Sequence, residues 1–168
     1  MEPQPPTILA LPQDKDVLAA LGAVSVRHGQ LEYILRMTVG TLVGVSQTEA
    51  FGATAKQGSQ ELRTRLLKLA KRRFGDGKPL VLLQALLHRA ELASQQRNEL
   101  IHNLWAQVLD GDTVVLGREH KPSTAPSATE LEILAEEIHS ITFELIKARQ
   151  EGFLRAAISD GVGCSRDG

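Results

Sequence analysis

Cysteine occurs once in 168 residues, and tryptophan and tyrosine once each beside four phenylalanines. The lone Cys164 has no partner for an internal disulfide. It stands in a Gly-rich stretch without a neighbouring His or Cys to complete a metal site, so a reducing compartment is expected. Aromatics make up 4% of the chain, so a core has to be built from Leu, Ile, Val and Ala, which favours packed helices. No apolar run reaches the length of a membrane span, and Met1-Glu2-Pro3-Gln4-Pro5-Pro6 lacks the basic start and apolar stretch of a secretion signal. A cytoplasmic protein without membrane contact is the expectation. An excess of one charge is also missing. Nineteen basic against twenty acidic residues leave a formal charge of -1, with no bulk attraction to nucleic acid or an anionic membrane. Any contact with a polyanion has to be local.

What the chain does have is ordinary for a folded domain: 42% hydrophobic and 23% charged residues, in a length that supports one core without metal or disulfide staples. Four of the seven prolines fall within residues 1–13, which predicts a loose arm. From Asp14 to about Val43, Val17, Leu21, Val24, Leu31, Leu35, Val39 and Leu42 recur at three- and four-residue spacing, the stripe of a long helix capped by Asp14. Gly22, Gly29 and Gly40 weaken that helix but permit a neighbouring backbone to approach. Ser46-Gln47-Thr48-Glu49 is a capping box for a short helix to about Lys56, and a third helix is expected from Ser59 to about Phe74. Pro79 suits the first turn of a fourth, running to about Leu104 with Leu82, Leu83, Leu86, Leu87, Ala90 and Ala93 inward.

Two β-prone runs, Trp105–Leu109 and Thr113–Leu116, flank Asp110-Gly111-Asp112 and read as a hairpin. The two Asp residues suit a turn better than a cation site. Lys121–Ser127 reads as a loop, and Ser127 or Thr129 caps a last long helix to about Ile158, with Leu131, Leu134, Ile138, Ile141, Leu145 and Ile146 inward. The expected fold is mainly all-α: an up-and-down helical bundle over residues 14–158 with a small β-hairpin near 105–117 before the last long helix. A flexible tail over residues 159–168 closes the chain.

Three features stand out from this background. Arg63, Arg65, Lys68, Lys71, Arg72 and Arg73 could form a basic helix face, for phosphate or merely for solvent. Arg97 falls within about 40° of Leu83, Leu86, Ala90, Ala93, Ile101 and Leu104 around an ideal helix. A guanidinium there calls for a carboxylate, a phosphate or a wet groove. Glu32, inside the apolar arc of the first helix, is the expected partner for Arg97, with Arg36 competing for it and His28 one turn earlier on the same side. Asn98 and His102 lie one turn apart, but His102 is about 140° from Arg97, so the two meet a common ligand only across a groove or between two copies of the helix. His88, His120 and His139 read as surface residues.

Arg97-Asn98 followed by His102 resembles the Arg-polar-x(3 to 5)-His motif of the HEPN superfamily. The resemblance implies a helical bundle with the motif at the end of a long helix, pairing of two protomers across it, and metal-independent cleavage of RNA. Such a domain would be of toxin or defence type, without a cofactor, and have RNA and an antitoxin or other protein as partners. It makes Arg97, Asn98 and His102 the catalytic residues: His102 as general acid or base, Arg97 stabilising charge on the phosphate, Asn98 orienting substrate or His102. Glu32, His28 and Trp105 are the supporting or substrate-binding candidates, Trp105 by stacking a base or, alternatively, by packing in the core. The alternative function is a non-catalytic helical module that binds RNA, a nucleotide or a protein through the same groove. An antitoxin-like or regulatory subunit is a third reading.

Overall fold

The computed structural model describes residues 7–108, 111–117 and 122–163. Asp110, His120, Cys164 and the opening six residues, on which several expectations bear, lie outside them. The described chain is mainly helical: β1 (Thr7–Leu9), α1 (Lys15–Val43), α2 (Gln47–Thr54), α3 (Ser59–Phe74), α4 (Lys78–His102), β2 (Leu104–Val108), β3 (Thr113–Leu116), β4 (Pro122–Thr124), α5 (Ala128–Gln150) and α6 (Phe153–Gly163).

The helix starts follow the local chemistry of the sequence. Asp14 accepts hydrogen bonds from the amides of Asp16 and Val17 at the head of α1. Ser46 and Glu49 form a reciprocal capping box on α2, and Ser127 and Glu130 do the same on α5. α3 starts at Ser59 as expected, without a side-chain cap at Gly58; instead the Gly58 amide donates to the carboxylate of Glu61, the third helical residue.

Leucines and isoleucines from all the long helices meet in one core, among them Leu31, Leu35, Leu62, Leu83, Ile138 and Leu145, all fully buried. α1 is the axis of the bundle, packed along α5 and α3 and also touching α2 and α4, while α4 lies against α3 and α5. Leu82, expected inward, is exposed; Leu80 takes its place in the core beside Leu83. Across the α4–α5 seam, Arg89 donates to both Glu137 and Glu144, and those carboxylates strengthen its hold on its proton.

Several expectations change at the ends of the chain. The arm is not loose throughout: Thr7–Leu9 pairs antiparallel with Val108–Ala106, because this short apolar and β-branched run satisfies the otherwise open edge of β2. The loop expected from Lys121 contains β4, whose Ser123 lies opposite Val115, so the hairpin is the centre of a four-stranded sheet in the order β1-β2-β3-β4. Pro122 is tolerated as the first residue of that edge strand. The last long helix stops at Gln150. The amides of both Glu151 and Gly152 turn back to the Lys147 carbonyl, and a Cβ at Gly152 would lie only 3.1 Å from that oxygen. The close passage favours glycine, and the chain restarts as α6, which folds against α5 and carries helix through Gly163 where a tail was expected.

Candidate functional site at the end of the fourth helix

α4 ends at His102, whose successor Asn103 is already extended and leads into β2. The apolar stripe of α4 outruns the core here. Ile101 is 41% and Leu104 45% exposed, whereas Leu83 and Ala90 are sealed. Arg97 sits at the transition, half-buried, with its Nε enclosed and its Nη1 in an exposed hydrogen bond. The burial penalty inferred for a mid-stripe arginine is therefore only partly incurred.

The partner differs from expectation as well. Arg97 forms no ion pair with Glu32; its Nη1 donates to the Asn98 side-chain oxygen at 3.0 Å, and its buried Nε meets no acceptor among the described residues. Arg36 does not take Glu32 either. It donates to the carbonyls of Thr54 and Gln57, holding the link between α2 and α3 to α1. Glu32 and Arg97 instead act on a common neighbour, His28, with opposite sign.

Asn98 and His102 are exposed and line one cleft of about 530 Å³ with Gln95, Glu99, Asn103 and Gly117. Glu99 and Asn103 also line a second cleft of about 600 Å³ that passes under β4 to the first turns of α5. The two clefts adjoin along the final turn of α4. Arg97 is thus joined to the cleft through Asn98, within a single chain and across an angle that the ideal helix leaves open. Glu99, not among the site candidates read from sequence, lines both clefts. Its place three residues before His102, on the same helix face, was the available signal.

Trp105 does not line either cleft. Its ring packs on the core and its Nε1 donates to the Leu100 carbonyl at 2.8 Å.

His28 is buried, 4% exposed, and lines none of these clefts. Its Nε2 lies 3.1 Å from the Ser94 hydroxyl, which donates its own proton to the Ala90 carbonyl at 2.7 Å. Ser94 therefore accepts from His28, which puts a proton on Nε2. Ser59 lies 3.2 Å from Ser94, and Arg63 donates to Ser59 at 2.6 Å. This network ties α1, α3 and α4 together. Burial lowers the His28 pKa first; Glu32 opposes the shift and the Arg97 and Arg63 charges reinforce it. Arg63, counted from sequence with the basic face, belongs to this buried network at 8% exposure. Its pKa is lowered by the same desolvation.

The remaining histidines divide. His88 is exposed beside Glu91, while His139 is half-buried in the α1–α5 seam with its Nδ1 2.6 Å from Arg27. Among the described residues no group of three or more His, Cys, Asp or Glu side chains is placed to hold a metal, and no helix is long and apolar enough to cross a membrane. Compared with protein-family models, with curated proteins and with solved structures, the chain matches none.

Proposed function

We propose that the chain is a HEPN-like domain that cleaves RNA without a metal, in the cleft shared by Asn98, Glu99 and His102. The observation that carries this reading is the connected motif: Arg97 presents a guanidinium donor without an acceptor and is hydrogen-bonded to Asn98, which lines the cleft with His102. The Arg97 Nε is enclosed, so a phosphate in the cleft would be met by the outer guanidinium nitrogens beside Asn98.

The chemistry needs proton transfer at two oxygens. The ribose 2′-oxygen forms a bond to phosphorus as its proton leaves, and the phosphorus–O5′ bond breaks as that oxygen is protonated, giving a cyclic phosphate. Glu99 supplies a carboxylate to accept the first proton and His102 an acid to deliver the second. Arg97 stabilises the charge that builds on the non-bridging oxygens. A second copy of the chain is the expected partner, because Ile101 and Leu104 leave an apolar surface uncovered beside the motif.

The test is cleavage of a mixed single-stranded and structured RNA pool, with EDTA present, by wild type and His102→Ala. Cyclic-phosphate products that fall by about 10²–10⁴-fold in the variant support the reading. Unchanged cleavage removes His102 from the mechanism. A folded wild type that binds RNA in the cleft and does not cut it returns the site to a non-catalytic binding module, the alternative that the exposed amides of Gln95 and Asn98 and the half-buried Asn103 would also serve.

A further inference from the structure

The basic run of α3 is not one surface, and separating its members leaves a compact patch centred on Lys68 and Arg72, which have no partner among the described residues. The helix holds six basic residues and one acid, in a chain whose total charge is -1. Arg63 is buried in the network with Ser59 and Ser94. Arg73 donates to the Leu42 carbonyl near the C-terminus of α1, and Arg65 to the Ala53 carbonyl of α2, so both hold helices together. Lys71 has only the exposed Asp76, 3.6 Å away. Lys68 and Arg72 are exposed and have no partner among the described residues. They lie one turn apart on the same face, with Arg65 one turn before Lys68, in a cationic line about 10 Å long. Together with Lys71 and Leu69 these residues line a shallow hollow of about 480 Å³.

Like charges spaced by one turn repel and weaken a helix. The C-terminal dipole of α3 rewards Lys71, Arg72 and Arg73 but does not reach Arg65 or Lys68. We infer that this face of α3 binds the phosphate backbone of single-stranded RNA, independently of sequence. None of the exposed large apolar side chains belongs to α3, and Leu69 and the carbon stems of the cations line the hollow, so the face lacks the wedge that a bilayer contact uses. A line of long cationic side chains over a shallow hollow is what tracks a flexible polyanion. α3 and α4 run antiparallel through the short link at Gly75–Gly77, so the patch lies along the bundle from the end that carries His102. RNA held there would be bound away from the cleft.

The inference extends the RNA reading, and its test is independent of cutting. Binding of a short labelled oligouridylate is measured against salt concentration in the His102→Ala background, with and without Lys68→Gln and Arg72→Gln together. Both side chains are exposed, and circular dichroism verifies the fold. Loss of two phosphate contacts lowers the magnitude of the slope of log K against log salt by about 1.4, while Lys15→Gln on another helix leaves it unchanged. Equal slopes with and without the α3 substitutions overturn the inference and leave the His102 cleavage assay to judge the catalytic reading separately. Absence of RNA binding overturns it too, as does a patch-dependent affinity for phosphatidylserine vesicles with no change toward RNA.

Discussion

Among single residues, His28 is a buried histidine whose protonation the fold biases toward the neutral form. It is surrounded by Glu32 from its own helix, Arg63 from α3 and Arg97 from α4, and its folded pKa lies below the ordinary 6.5 because of burial first. The unfolded chain therefore binds the proton more readily. The stability contributed by neutral His28 is complete above the unfolded pKa and is lost as pH falls toward the depressed folded value. Wild type is expected to lose stability between pH 7 and 5 faster than His28→Gln, by at most about 1.4 kcal/mol per pH unit, the limit for one proton. Urea unfolding at a series of pH values measures the difference; superimposable slopes would show that the fold does not depress the His28 pKa. Arg97 calls for a different probe. Arg97→Lys keeps the charge while removing the planar fork, and cleavage is expected to fall with little change in melting temperature if the guanidinium serves the phosphate rather than the core.

Between elements, close packing is concentrated where α2 turns back on α1. A Cβ on Gly40 would come within 2.7 Å of the Ala50 Cβ, whereas at Gly22 and Gly29 it would meet nothing. Gly40→Ala gains about 1 kcal/mol of helix propensity but forces the two helices apart, at a cost of about 1–3 kcal/mol, so a net loss is expected. Ala50→Gly in the same chain should recover much of it, and Gly22→Ala should stabilise. Thermal unfolding of the three variants decides between a packing glycine and a merely tolerated one; a stabilised Gly40→Ala would remove the steric argument. The sequence showed three glycines of equal standing in α1, because a helical pattern records which positions face inward but not which neighbour lies opposite. The helix starts, by contrast, were legible to within a residue or so, since Asp14, Ser46 and Ser127 act through hydrogen bonds to backbone only two or three residues away.

For the molecule as a whole, the open question is whether one copy or two complete the cleft. Ile101 and Leu104 are half-exposed, and Leu9 on the adjoining edge strand is 75% exposed. Apolar surface of this kind beside the motif is expected to be covered by a second protomer. Sedimentation equilibrium should give a dimer for wild type and a monomer for Ile101→Glu with Leu104→Glu, and RNA cleavage should be lost together with the dimer. A monomeric wild type that cleaves at full rate would show that Glu99 and His102 of one chain suffice.

Local and periodic information in the sequence determined the mainly helical class, the caps, the inward stripes, the central hairpin, and the place of Arg97, Asn98 and His102 on a single helix. These depend on interactions over a few residues or on a repeat of 3.6. Only the tertiary structure decided which charges meet. Arg97 turns to Asn98 and not to Glu32, Arg36 turns to the α2–α3 link, and Arg63 leaves the basic face for the buried network around Ser94. It also decided that Thr7–Leu9 closes a sheet edge and that Gly152 ends α5. The physical reason is common to all of these. Long polar side chains and open strand edges are satisfied by partners far away in sequence, and no periodicity along the chain specifies which partner the packing brings within hydrogen-bond reach.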